Sequence, residues 1–278
     1  MRIHPKYVQR GAIVILGAAT VLTLAILIFI IVFVLRKGLP VISFNFLFTD
    51  PQDMGRSGGI FPILIGTILL PLLAILIAAP LGICTSVYLS EFTGETRMTK
   101  IIRFGTDCLA GVPSIIFGLF GFIFFVTILG MGWSILSGGL SLAFMILPTI
   151  IRTAEEAIKS VPKSYREVSY SLGATRWQTV RKVILPNALP GIVTGVVLGI
   201  GRSIEETAVV IFTAGSSLLI PTSIFDSTRT MAVHFYILAR EGLSTENAYG
   251  TAATLIIAVL IVNLTAYGLM HRFISKKS

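Results

Sequence analysis

The chain has 278 residues, 54% of them apolar and only 13% charged, with a net charge of +9. A soluble domain runs nearer a quarter charged, so water is excluded as the main solvent and a multi-spanning helical membrane protein is the class that remains. Nor does the basic excess point to nucleic acid, because the cations sit in short loops and tails between apolar stretches, where they report topology instead.

In chain order, a basic tail, Met1–Arg10, precedes an uncharged run over 11–35. That run is longer than the apolar core of a signal peptide, so it predicts a retained signal-anchor helix, the first span. Pro40, Asp50, Pro51, Asp53 and Gly55 make 36–58 a turn-rich polar loop. The second span is expected over 60–89, with Pro62 in its first turn and kinks at Pro71 and Pro80. A charged loop, Glu91–Arg103, follows. No charge occurs from Cys108 to Ile151, a run about twice the roughly 20 residues that a span needs. Gly130-Met131-Gly132-Trp133 divides it into spans three, 107–130, and four, 134–157. After a polar segment, 159–182, come span five at 189–213 and span six at 249–271. Between them, Met231–Arg240 has the pattern of a short helix, either on the surface or packed in the core. Cys84 and Cys108 form no CxxC pair and are expected as small buried hydrophobes. The expected organisation is an anchor helix and outer loop over 1–58 and a transmembrane domain over 59–278.

Six spans put both termini on one side. That side holds Arg2, Lys6, Arg10, Arg97, Lys100, Arg103, Lys159, Lys163, Arg166, Arg176, Arg181, Lys182, Arg272, Lys276 and Lys277; the other holds only Arg36, Lys37, Arg56, Arg229 and Arg240. The positive-inside rule therefore predicts a multi-pass protein of the cell membrane with both termini and the 159–187 segment in the cytoplasm.

Within that segment, Glu167-Val-Ser-Tyr-Ser-Leu-Gly173, nine further residues, then Val183-Ile-Leu185-Pro186 resemble the EAA loop of ABC importer permeases. Glu167, Gly173, Leu185 and Pro186 match in register, Val183 stands for isoleucine, and Val168 and Ser169 replace the two alanines. The residues suit a docking element: Ser164 and Glu167 can form a capping box, and Gly173 permits a left-handed turn. A second short helix would run to Pro186, and Tyr165, Leu172, Trp177 and Val180 would supply apolar contact surface. The resemblance implies an all-α type I importer fold in which Glu167, Gly173, Leu185 and Pro186 couple the membrane domain to an ATPase subunit. The chain has no Gly-Lys dipeptide and hence no GxxxxGK[ST] phosphate loop, so the expectation is a translocation subunit rather than an enzyme, with no cofactor and no metal site.

Charges inside spans are costly and mark functional sites. Arg202 falls near the middle of the fifth span, with Glu205 at i+3 and Glu206 at i+4 able to reach it on one helical face. Arg152, followed by Glu155 and Glu156, repeats the arrangement nearer the cytoplasmic end of span four. A guanidinium suits a tetrahedral oxyanion, and a carboxylate can accept the proton of a P–OH group. Two readings stay open: direct contact with substrate, or neutralisation inside a low-dielectric bundle. Leu185-Pro186-Asn-Ala188-Leu-Pro-Gly191-Ile192 and Arg202-Ser-Ile-Glu205-Glu206-Thr207-Ala208 are similar to the phosphate-specific permeases, which carry R-x-x-G-E-T-A here; Glu205 replaces their glycine. The Gly58-Gly59-Ile60-Phe61-Pro62 start resembles the A-type rather than the C-type subunit. That resemblance implies phosphate as substrate, Arg202, Glu206, Glu205 and Arg152 on its pathway, and as partners a homologous C-type permease, two ATPase subunits and an extracytoplasmic phosphate-binding protein. An ABC permease for another solute shares the EAA loop, and an ion-driven transporter would account for the intramembrane carboxylates but not for the loop.

Overall fold

In lipid every backbone donor and acceptor must be satisfied within the chain, so long apolar runs form helices. The computed structural model describes residues 5–275; Arg2, Lys276 and Lys277 of the topology argument lie outside them. Helix α1 (Pro5–Gly38) leads into a short helix α2 (Phe44–Phe48) and a two-stranded hairpin, in which β1 (Pro51–Gln52) pairs antiparallel with β2 (Ser57–Gly58). Then come α3 (Phe61–Phe92, its last turn Tyr88–Phe92 π-helical), α4 (Arg97–Ala110), α5 (Ser114–Ile128) and α6 (Ile135–Ser160). Helices α7 (Lys163–Ser171), α8 (Arg176–Ile204), α9 (Ala208–Thr213), α10 (Met231–Arg240) and α11 (Thr245–Ser275) complete the chain.

α3 and α6 form the centre. Leu70, Ala74, Leu142 and Ile146 are fully or almost fully buried between them, joined by Val209, Val210 and Val233 from α9 and α10. Small residues bring the helices close, as in other membrane bundles: Gly82 lies on Ile150, Gly139 on Leu73, Gly191 on Ala157 and Gly195 on Thr153. A second apolar cluster, with Val87, Ala154, Ile158, Val161, Val180, Ile184, Ala188 and Ile192, ties the ends of α3 and α6 to α8.

The connections fix which ends lie together. Glu91 at the end of α3 pairs with Arg166, just beyond the end of α6, so α3 and α6 run parallel. At the opposite end the Ser134 N–H donates to Thr213 O at 3.2 Å and Leu136 N–H to Ile224 O at 2.9 Å. Asn247 Nδ2 donates to the Gly55 and Arg56 carbonyls, both at 3.1 Å, joining the start of α11 to the hairpin. Gly38 packs on the Tyr249 backbone, and Lys37 Nζ stands 4.8 and 5.0 Å over the Phe33 and Tyr249 rings. Because α3 and α6 are parallel, the chain must return between them, and the α4–α5 pair makes that crossing.

Among the described residues five helices are long and apolar enough to span on their own, and α4 with α5, bent by 101°, makes a sixth when the pair is taken as one broken span. Spans one, two, four and six fall where expected. The third differs, because residues 107–110 belong to the polar helix α4. Pro113 has no N–H to continue that helix and restrains Val112, so the chain breaks at Gly111–Pro113. The fifth differs more. It is continuous with the second helix of the EAA-like segment and ends at Ile204, not near 213. α3 stays one helix through Pro71 and Pro80. Cys84 and Cys108 are exposed rather than buried among the described residues. α10 takes the core option, with Met231, Ala232, Val233, His234 and Leu238 buried.

Candidate functional site

The EAA-like segment folds as two helices about a tight turn. α7 starts at Lys163 with Pro162 as its N-cap, so the expected Ser164–Glu167 capping box does not form; proline already supplies the helical entry and Ser164 lies inside the helix. The box occurs one helix later, where Thr175 Oγ1 accepts from the Gln178 N–H and Gln178 Oε1 from the Thr175 N–H. Gly173 has φ +75°. Its N–H donates to Tyr170 O at 2.9 Å and the Ala174 N–H to Ser169 O at 3.2 Å, the two bonds of a Schellman ending. Nothing lies within 4 Å of a Cβ built there, so backbone conformation, not space, requires glycine.

Inside the turn, Ser169 Oγ and Thr179 Oγ1 lie 2.8 Å apart and are buried. On its outside, Tyr165, Val168, Tyr170, Leu172 and Trp177 are exposed, Leu172 at 82%. Lys163, Glu167, Arg176, Arg181 and Lys182 are exposed around them. Large apolar side chains exposed together among charges are the pattern that interaction surfaces show. Val180, expected in that patch, is fully buried beneath it with Ile184. Leu185 and Pro186 are half-buried. Pro186 does not end the helix. The chain widens into a π-turn over Val180–Ile184, which takes up the backbone register that proline disturbs, and Asn187 Nδ2 donates to the Val183 carbonyl at 2.6 Å. One helix therefore runs from the exposed turn, at Arg176, through the membrane to Ile204.

Arg202 stands in the last turn of that helix, not at mid-span. Adjacent carboxylates oppose the C-terminal end of a helix dipole, and the chain breaks at Glu205–Thr207. Glu206 Oε1 accepts from the Val209 N–H at 3.4 Å, at the start of α9, and Glu205 is exposed. The i+3 and i+4 geometry is therefore lost: among the described residues Arg202 forms no ion pair. Arg202 is half-buried.

Arg152 differs. Its Nη1 lies 3.2 Å from Asp107 and its Nε 3.9 Å from Glu156, while Glu155 turns to Arg103 at 2.8 Å and Lys159 at 2.7 Å. These residues line a cleft of about 190 Å³ between α4 and α6, with cations and anions matched. Asp107, Arg103, Glu91 and Arg166 were not singled out by sequence. Their partners lie across tens of residues, and the only local signal is an acidic residue, Glu91, at the very end of an apolar span. Among the described residues, no cluster of ligands fits a metal ion.

At the opposite end, Arg229 and His234 are buried side by side. Arg229 Nε donates to Ser216 O at 3.0 Å, and its Nη1 lies 3.3 Å from His234 Nδ1. Burial, reinforced by the Arg229 charge, pushes the imidazole pKa down to about 3.

A multi-helix membrane protein with an exposed helix–turn–helix at one end is the class that this fold defines. Residues 79–278 match the family described as the binding-protein-dependent transport system inner membrane component, and the chain belongs to it. It is 34% identical to the probable ABC transporter permease protein YqgI of Bacillus subtilis, covering 90% of each chain. It is 38% identical to the phosphate transport system permease protein PstA 1 of Mycobacterium tuberculosis, over 80% of this chain and 73% of that one. Among solved structures, a bacterial alginate ABC transporter in complex with an alginate-bound periplasmic protein superposes with a TM-score of 0.68 over 96% of both chains, at 18% identity, which bears on the fold alone. The protein is thus a multi-pass ABC importer permease of the type I fold.

Proposed function

We propose that this chain is the A-type permease subunit of a phosphate-importing ABC transporter. The observation that carries the reading is the exposed α7–α8 turn, with Gly173 in its left-handed ending, on a chain whose relatives at 34–38% identity include phosphate transport permeases. On this reading the patch around Leu172 and Trp177 docks on an ATPase subunit, which hydrolyses ATP. A second such subunit serves a homologous C-type permease beside this chain, and the hairpin and 214–248 segment face an extracytoplasmic phosphate-binding protein. Both termini and the docking turn are cytoplasmic; residues 1–58 anchor the permease domain, 59–278.

For the pathway, the geometry favours Arg202 over Arg152. Arg202 is half-buried with no carboxylate at ion-pair distance among the described residues, which leaves its fork free for an oxyanion. Arg152 is already engaged by Asp107 and Glu156. Glu206 is drawn to the start of α9 and Glu205 to the surface, so both play a lesser part than Arg202. The test is uptake of radiolabelled phosphate by cells with and without the chain, in the presence of excess unlabelled sulfate or molybdate. Loss of uptake on deletion, insensitive to those competitors, is expected. Unchanged phosphate uptake in the deletion strain, or displacement by sulfate, would overturn the assignment.

A further inference from the structure

The docking turn reaches the membrane bundle by three routes. α8 continues from it without a break, and α6 leads into it through Val161-Pro162. The third helix, α3, is far away in sequence, and Arg166 bridges to it. Arg166 Nη2 lies 2.6 Å from Glu91 Oε1 and its Nε 3.1 Å from the same oxygen. The same guanidinium donates to two carbonyls at the end of α6, Nη1 to Val161 O at 2.7 Å and Nη2 to Ile158 O at 3.0 Å. The Val161 carbonyl lies just past the helix end, where acceptors lack helical partners, and that of Ile158 also accepts from the Val161 N–H at 3.3 Å. The Glu91 side chain is 6% exposed and that of Arg166 18%, so the pair is sheltered from water and from salt. A planar fork with several donors in fixed directions can hold a carboxylate and two carbonyls at once; an ammonium cannot match that geometry. The neighbouring Glu167, which carries the family resemblance, is exposed and points to no such contact.

We propose that Arg166 is a positioning residue for coupling: it pins the docking turn to the ends of α3 and α6, so that a displacement of the turn moves all three central helices together. The inference rests on the docking role assigned above. Without the pin, α7 still presents its apolar patch and α8 still moves, and α3 follows only through apolar contacts such as those of Val87, which fix no direction.

The test compares Arg166→Gln, Glu91→Gln, the double variant and Arg166→Lys with the docking-turn variant Gly173→Val, each in the full transporter. Phosphate uptake is measured in cells. Binding-protein-stimulated ATP hydrolysis and subunit assembly are measured on complexes pulled down through this chain. Uptake per ATP hydrolysed is expected to fall by roughly tenfold in the two Gln variants with assembly intact. The double variant should be no worse than either single change, since one interaction is removed in all three, and Arg166→Lys should recover only part. Unchanged uptake per ATP in both Gln variants overturns the pin. So does a fall that merely tracks lost assembly, which would make the pair a folding contact only. Normal stimulated hydrolysis in Gly173→Val would instead sink the docking role itself, whatever Arg166 does.

Discussion

Arg202 ends an apolar helix with a charge that no described carboxylate balances, and a half-buried charge without a partner is expensive. If it offers a waypoint to phosphate, Arg202→Gln abolishes uptake while pull-down still recovers the assembled complex, and Arg202→Lys restores only part because the ammonium keeps the charge but loses the fork. If Arg202 merely balanced Glu205 and Glu206, the triple change Arg202→Gln, Glu205→Gln, Glu206→Gln would transport nearly as well as the unaltered chain; recovery in that variant eliminates the direct role. Gly173 is a second residue with a sharp expectation. At φ +75° a β-branched side chain meets a penalty of about 1–2 kcal/mol or more, whereas asparagine tolerates this region. Gly173→Val should lose binding-protein-stimulated ATP hydrolysis and Gly173→Asn should largely keep it; equal activity of the two would show that the turn's shape is not what matters.

Among the elements, α10 contains the group whose titration is easiest to sign. His234 is neutral in the folded chain, its pKa held down to about 3 by burial and by Arg229, against 6.5 for the free side chain. The unfolded chain therefore binds the extra proton first. The contribution of His234 to stability is complete above pH 6.5 and is lost as pH falls below it, by about 1.4 kcal/mol per pH unit. The unfolding midpoint of the purified protein in detergent should drop between pH 7.5 and 5.5, and His234→Gln, which keeps an acceptor for Arg229 but cannot titrate in this range, should flatten that drop. The same slope in both proteins would refute the assignment. α8 shows the opposite kind of control. Two prolines, Pro186 and Pro190, lie in it, yet the π-turn at Val180–Ile184 lets one helix join the exposed turn to the apolar span.

For the whole molecule, parallel α3 and α6 require a crossing between them, and the bent α4–α5 pair provides it at a length that neither part has alone. With the excess of cations on the docking-turn side, a phosphatase active only outside the cytoplasm should be silent when fused at Ser278 and active when fused near residue 225. The reverse pattern would invert the topology, and the docking assignment would fall with it.

Sequence alone determined the solvent, the run of membrane-spanning segments, the position of the exposed α7–α8 turn and the need for glycine at 173, because apolar run length and backbone conformation are local properties. Four of the six spans were legible for the same reason. Tertiary structure decided where α8 begins and ends, because Pro186 and the carboxylates at 205 and 206 can either stop a helix or be absorbed by it according to what packs beside them. It also chose partners for the charges. Arg202 was expected to pair one turn away and does not, since the helix ends between it and the glutamates. Arg152 found Asp107 on another helix, and Arg166 found Glu91 across 75 residues. No periodicity encodes such pairs: they exist only once helix ends remote in the chain are brought to the same end of the bundle.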